Sequence, residues 1–455
     1  MPRKKGSKNK PVEENVEPTV VIPKESKVRT PQLLRGFKDI LPTDQVYWEH
    51  VRETVNELAR KYGFERIDTP LLESTSLFRR SVGDVTDIVE KEMFSFTSMG
   101  GDHMSLRPEA TASIVRAYLE HGMFNLPQPI KLFYIGPMFR YDRPQSGRYR
   151  QFHQFGFEVL GEENPAADAK VILMAYNFFK LMELDVVITV NSIGCLSCRG
   201  EFKKALQNYY KTKKNSLCKD CQKRLLKNPL RLLDCKEEEC KPFKSDAPQI
   251  VDWLCDDCQQ HFMRVLELLD DLGVPYMLDS GLVRGLDYYN RTTFEIYMAD
   301  EVENKERALA LGGGGRYDLL AEQLGGRPVA GIGVAPGIER VILKMKEREI
   351  EPPIRKRPTI LLAQIGAQAK IEAMKLFERL YDEGFNIVEN YVKNSLKAQL
   401  ELAERLGCRF VLILGQKEVL DKTVLIRDME AGIQEVIDVS KLSSELRKKL
   451  GDSEK

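Results

Sequence analysis

Between residues 133 and 161 the chain reads FYIGPMFRYDRPQSGRYRQFHQFGFEVLG, two alternating apolar segments joined by a loop. Alternation of this length predicts two paired strands. On the second strand Phe152, Gln154, Gly156 and Glu158 share one face, while His153, Phe155 and Phe157 share the other. Upstream, Val51, Val55, Leu58 and Tyr62 recur at helical spacing, so an amphipathic helix is expected from Thr43 or Asp44 to a stop at Gly63. ERIDTPLLE reads as a strand broken by Pro70, and the segment after Pro108 as a helix ending at Gly122. A helix over 165–182 and a strand over 185–191 follow. Strand patterns resume at 282–298 and 306–320, and 329–345 reads as strand, glycine turn and helix. Many strands close together in sequence favour an α+β domain with an antiparallel sheet flanked by helices.

Around 348–358 the chain turns charged and proline-rich, which marks a linker. Beyond it TILLAQIG, NIVENY, RFVLILG and KTVLIRD alternate with helical stretches, so a separate α/β domain with a parallel or mixed sheet is expected. The resulting organisation is a disordered basic tail over 1–30, a core over 31–190 and 266–347, a cysteine-rich insert over 191–265, a linker over 348–357 and the α/β domain over 358–455. A chain of 455 residues suits two or three such cores.

Composition narrows the function classes. No stretch approaches the roughly 20 apolar residues of a membrane span, and no secretory segment follows the start, so a cytoplasmic protein is expected. The net charge of +1 means that any nucleic-acid affinity must come from local patches. Five of the first ten residues are basic; a solvated tail explains them more simply than a nucleic-acid-binding arm.

Candidate chemistry gathers around the hairpin. Four arginines face one aspartate between Arg140 and Arg150, more cationic than a solvated surface loop needs. Arg140 adjoins the Gln154/Glu158 face, which pairs cations for phosphate with polar groups for a small, partly cationic ligand. Glu109 and Thr111, after Arg107-Pro108, stand at a helix start and by themselves read as caps. Arg284 and the tandem Tyr288-Tyr289 lie in an apolar, strand-like stretch, where an arginine needs an anion, whether a ligand or a structural partner. Three glycines, Gly331, Gly333 and Gly337, precede a helix that opens with Glu339-Arg340. No GK[ST] phosphate loop occurs, so phosphate must be held by arginines, whose planar fork binds its oxygens bidentately.

Eight of the nine cysteines fall into close pairs: Cys195/Cys198, Cys218/Cys221, Cys235/Cys240 and Cys255/Cys258. Without a secretory signal these read as structural metal ligands, enough for one or two Zn²⁺ sites, with His261 as an alternative ligand. The pairing between clusters is left open by the sequence. Cys408, in CRFVLIL, reads as a small core residue. Between Arg199 and Lys227 ten basic residues face two acids, a surface suited to a phosphate backbone, with Lys203/Lys204 and Lys213/Lys214 prominent.

Together these segments resemble a class II aminoacyl-tRNA synthetase, and within that class the histidyl-tRNA synthetase family, over about residues 36–442. TPLLE matches the first class motif, MFRYDRPQSGRYRQFHQFGFE the second and GIGVAPGIER the third; VRGLDYYNRT and ALGGGGRYD match segments peculiar to the histidine enzymes. The resemblance implies ATP-dependent ligation of L-histidine to tRNA(His) through a histidyl-adenylate, with ATP bound as its Mg²⁺ complex, an anticodon-binding C-terminal domain and a homodimer. It implies that Arg140 and Arg284 act at the α-phosphate, with Asp142, Arg148 and Arg340 also on ATP. Glu109, Thr111 and Gln154 would hold the α-amino group, Glu158, Tyr288 and Tyr289 the imidazole side, and Arg143 and Gln145 the tRNA end. Asp142 stands where the family usually has glutamate, one methylene longer. The alternative is a non-catalytic, histidine-sensing regulatory paralogue of histidine biosynthesis; such paralogues lack the anticodon domain and erode these arginines.

Overall fold

The computed structural model describes residues 30–83, 86, 88–302, 308–353, 359–392 and 395–450. The expected tail up to residue 29 and the linker from 354 onward lie outside them. Helix Pro42–Tyr62 starts one residue before the predicted position, because proline suits a first turn whose amides need no partner. Its Val51, Val55 and Leu58 are buried, and Gly63 ends it at φ 71°, a left-handed conformation that favours glycine.

After β1 (Glu65–Arg66), a small antiparallel sheet joins β2 (Leu72–Ser74), β3 (Ser95–Thr97) and β4 (His103–Leu106). The expected hairpin is β5 (Ile130–Phe139) and β6 (Gln151–Leu160), paired from Ile130↔Leu160 to Phe139↔Gln151. With β7 (Val186–Ser192), β8 (Tyr276–Leu278), β9 (Asn290–Met298), β10 (Gly312–Arg316) and β11 (Gly331–Val334) it builds an eight-stranded sheet, ordered β1-β5-β6-β11-β10-β9-β7-β8. The six middle strands are antiparallel, as expected, whereas both edge pairs are parallel.

Strand alternation sorts the hairpin between two cores. Phe133, Phe155 and Phe157 pack with helices Pro42–Tyr62, Pro165–Leu181 and Ile338–Glu347. Leu132, Tyr134 and Met138 pack on the opposite face with helix Thr111–Glu120, with the cysteine-bearing segment and with Val283, Tyr288 and Tyr289. The strand expected over 282–298 therefore exists only from Asn290 onward. Residues 283–289 form a loop whose apolar side chains are buried against the insert and not by strand pairing.

The C-terminal unit is a mixed sheet of β12 (Ile360–Gln364), β13 (Ile387–Glu389), β14 (Phe410–Leu414), β15 (Thr423–Asp428) and β16 (Gln434–Asp438). β12, β13 and β14 are parallel, and β15 and β16 antiparallel. The edge strand β16 escaped the sequence pattern because none of its side chains is fully buried, so it carries little apolar signal.

Candidate active site

The loop at 140–150, Glu295 of β9, the start of β10 and the turn after β11 help enclose a cleft of about 580 Å³. Arg140, Asp142, Arg148, Gln154, Arg284 and Arg340 all line it. Arg140 Nε donates to the Pro108 carbonyl at 2.9 Å, which fixes it against the helix start that carries Glu109. Arg340 donates from Nε to the Gly147 carbonyl (3.2 Å) and from Nη1 to the Ala310 carbonyl (2.6 Å). Burial, together with the nearby Arg148 and Arg140 charges, brings the Arg340 pKa down to about 10. Guanidinium groups crowded in this way are relieved by an anion.

Arg284 reaches the cleft from the 283–289 loop. Its Nη1 pairs with Glu295 Oε1 at 2.5 Å, its guanidinium lies 5.4 Å from the Tyr289 ring centre, and its Nε finds no partner among the described residues. β10 supplies the space, since a Cβ on Gly313 would stand 2.6 Å from Arg284 Nη1. The glycine run at 312–315 is thus a requirement of the site. Gln154 Oε1 is likewise buried without a partner among the described residues, an acceptor that suits a ligand's ammonium group.

Behind the cleft the remaining predicted residues form a closed cluster. Thr111 Oγ1 donates to Glu158 Oε1 (2.8 Å) and Tyr317 Oη to Glu158 Oε2 (2.5 Å). Tyr288 Oη donates to Glu109 Oε2 (3.3 Å), and Glu109 also accepts the backbone amides of Thr111 (2.7 Å) and Ala112 (3.0 Å). The plain capping role is therefore real, and it aims the carboxylate inward. Glu158 is 1% exposed, and burial pushes its pKa up to about 8, with the Glu109 charge adding to the rise against the hydrogen bonds from Tyr317 and Thr111. β11 must be glycine opposite it: a Cβ on Gly333 would fall 1.8 Å from Glu158 Oε2.

Asp142 Oδ2 meets Arg148 Nη1 at 3.3 Å and Oδ1 accepts the Arg143 amide at 2.6 Å, so the shorter carboxylate orders the loop itself. Arg143 and Gln145 are exposed on that loop and do not line the cleft. Sequence reasoning missed Tyr134, Tyr317 and Glu295. Tyr134 was signalled by Gly156 across the hairpin, whose Cβ would strike the Tyr134 ring at 2.4 Å. It also missed Arg224, Arg231 and Asp234, insert residues that line the cleft from the far side.

The cysteines resolve into two groups, Cys195/Cys198/Cys255/Cys258 and Cys218/Cys221/Cys235/Cys240, each with its sulfurs within 4.8 Å of one another. All eight are free thiols. His261 is no ligand alternative: it lies 3.4 Å from Asp168, the carboxylate that also pairs with the fully buried Arg316. Of the expected basic surface, Lys204 and Lys214 are exposed. Lys203 is partly buried, with its pKa lowered by that burial and by Arg199, and Lys213 covers the Tyr209 ring at 3.5 Å.

The model of the family described as Histidyl-tRNA synthetase matches residues 36–341, and that of the Anticodon binding domain residues 359–449. A histidine--tRNA ligase of Dehalococcoides mccartyi is 47% identical over 417 residues, 91% of this chain and 99% of that protein. A solved structure of S. aureus histidyl-tRNA synthetase shares 37% identity at a TM-score of 0.77, covering 91% of this chain and 99% of that one. A Bacillus halodurans structure titled as an ATP phosphoribosyltransferase regulatory subunit/histidyl-tRNA synthetase shares the fold at 20% identity and a TM-score of 0.60, covering 86% of this chain and 99% of that one.

Proposed function

The chain belongs to the histidyl-tRNA synthetase family and is an enzyme that ligates histidine to tRNA, and from that premise we propose how its residues divide the reaction. The regulatory alternative is not favoured: the anticodon-domain match covers 359–449, and Arg140, Arg284 and Arg340 all line the cleft. The juxtaposition of a many-arginine cleft with a buried carboxylate–tyrosine cluster supports the assignment most directly.

ATP binds in the cleft as its Mg²⁺ complex, with Arg148 and Arg340 on the outer phosphates and Arg140 and Arg284 at the α-phosphate. Histidine lies between cleft and cluster: Gln154, Glu109 and Thr111 take its ammonium group, and Glu158, Tyr288 and Tyr289 its ring. A carboxylate oxygen of histidine attacks the α-phosphorus, the bond to the bridging β-oxygen breaks, and pyrophosphate leaves. A ribose hydroxyl of the terminal tRNA adenosine then attacks the acyl carbon; AMP departs and the hydroxyl proton is lost. Activation relies on positioning and on charge set against the developing oxyanion, for which fixed arginines suffice. Arg143 and Gln145 meet the tRNA end from the exposed loop, and Lys204 and Lys214 extend a basic surface beyond it. The enzyme acts as a cytoplasmic homodimer.

Each thiol group suits a structural Zn²⁺. The sulfurs of Cys195 and Cys198 are 3.5 Å apart and those of Cys218 and Cys235 3.8 Å apart. Tetrahedral Zn–S bonds of about 2.3 Å give about 3.8 Å, whereas a disulfide needs about 2.05 Å. Backbone amides of Cys221, Cys218 and Cys255 point at cysteine sulfurs at 3.4, 3.3 and 3.1 Å, as thiolate ligation requires. Metal analysis of purified protein should return two equivalents, falling to one in Cys221→Ser; none in either protein would remove the metal assignment.

The decisive assay is histidine-dependent ATP–pyrophosphate exchange. Zinc-replete, folded protein should catalyse it without tRNA. Its absence would overturn the proposed division of labour.

A further inference from the structure

The loop that carries Arg284 is held from the cysteine-bearing insert. Arg199, 8% exposed, donates from Nη1 to the Tyr289 carbonyl at 2.9 Å. Asn228, 7% exposed, donates from Nδ2 to Asp287 Oδ1 at 3.0 Å. Beside these two anchors the loop packs Val283, Tyr288 and Tyr289 into the same apolar core as Phe202, Leu225 and Leu230 of the insert.

Each anchor is tied to one thiol group. Arg199 lies in the first turn of helix Leu196–Lys211, whose N-cap is Cys195 and which contains Cys198. Asn228 ends helix Lys219–Lys227, whose N-cap is Cys218 and which contains Cys221. Fixing either group therefore fixes the start of the helix that presents an anchor. The loop is also tied to the core, where the Asp287 amide donates to the Val82 carbonyl at 3.1 Å.

We propose that the insert is a working wall of the amino-acid activation site: Arg199 and Asn228 are positioning residues that hold the 283–289 loop so that Arg284 and Tyr289 meet the substrates. Activation without tRNA then depends on the insert, beyond any part the insert's basic surface plays in holding tRNA. This rests on the role given above to Arg284.

The test is ATP–pyrophosphate exchange in the absence of tRNA, on full-length, zinc-replete protein. Arg199→Ala should lower kcat by about 10- to 100-fold, the scale of an ångström-sized misplacement, and leave the KM for ATP within about twofold. Arg199→Lys, which keeps a cationic donor, should recover part of the loss. Added to Arg284→Ala, the Arg199→Ala change should cost clearly less than it does in the parent, because part of its effect runs through Arg284. Exchange by Arg199→Ala within about twofold of the parent, or an undiminished further loss on the Arg284→Ala background, would overturn the proposal. If Arg199→Ala does not fold, Asn228→Ala carries the same expectations and the same refutation. Full activity in Arg284→Ala alone would instead sink the role of Arg284, so the two failures are distinguishable.

Discussion

The cationic cleft and the carboxylate–tyrosine cluster behind it share one sheet face yet satisfy their charges in opposite ways. In the cleft, Arg340 sits among like charges and loses basicity, to about 10, through burial and its arginine neighbours. In the cluster, Glu158 is raised to about 8 by burial, with Glu109 adding to the rise, although Thr111 and Tyr317 both donate to it. The cleft is open and its relief must come from a ligand anion. The cluster is closed and already internally bonded, so a ligand must add a positive or donating group at its edge, where Gln154 Oε1 is unsatisfied. One small molecule with a cationic end and an attacking carboxylate, placed beside a triphosphate, answers both at once.

Removing one of the two arginines proposed to act at the α-phosphate should separate the two regions most sharply. Arg284→Ala is expected to lower the kcat of exchange by about 10²- to 10³-fold, as for loss of a preorganised transition-state donor. Next, Glu158→Gln should raise the KM for histidine by about 10- to 100-fold through loss of a buried hydrogen-bond partner, with the KM for ATP changed less than about threefold. Equal rises in both would mean that cleft and cluster are not distinct subsites.

The pH dependence of stability reads the cluster without substrate. The folded Glu158 pKa lies above its unfolded value of 4.5, so the fold binds the extra proton between pH 4.5 and about 8. Stability from this group is complete below the unfolded value and is lost as pH rises toward the folded one. The melting temperature of the parent should therefore fall relative to Glu158→Gln from pH 5 to pH 8 and run parallel above that. A constant difference across this window would show that Glu158 is ionised in the fold. The smallest effect is expected at Asp142→Glu: with its carboxylate already on Arg148, exchange should stay within about threefold of the parent.

The legible parts of the fold were those whose burial has a simple period. The helix Pro42–Tyr62 appeared within two residues of its expected place and the β5–β6 hairpin within about three. The 283–289 loop misled for a definite reason: Val283, Tyr288 and Tyr289 are apolar because the insert covers them, and composition does not distinguish that from strand burial. Lys203 misled similarly, since a lysine counted as surface charge faces Arg199 and Asp287 from a partly buried position. Glu295 lay outside every quoted motif and Tyr317, inside ALGGGGRYD, was given no role; the importance of both lies in the partners that distant strands and loops bring to them.

By itself the sequence determined the inventory: strand alternation that puts Gln154 and Glu158 on one face, arginines in place of a phosphate-binding lysine loop, and eight thiols in close pairs. These follow from covalent spacing and backbone periodicity, which are local. Only the tertiary structure decided the company each group keeps: which four thiols meet, that His261 serves Asp168, that Glu158 is closed in by Tyr317, and that the insert grips the loop of Arg284. The thiol groups apart, those contacts join residues from 90 to 159 positions apart, and through-space packing in a low-dielectric interior, not spacing along the chain, sets their energies.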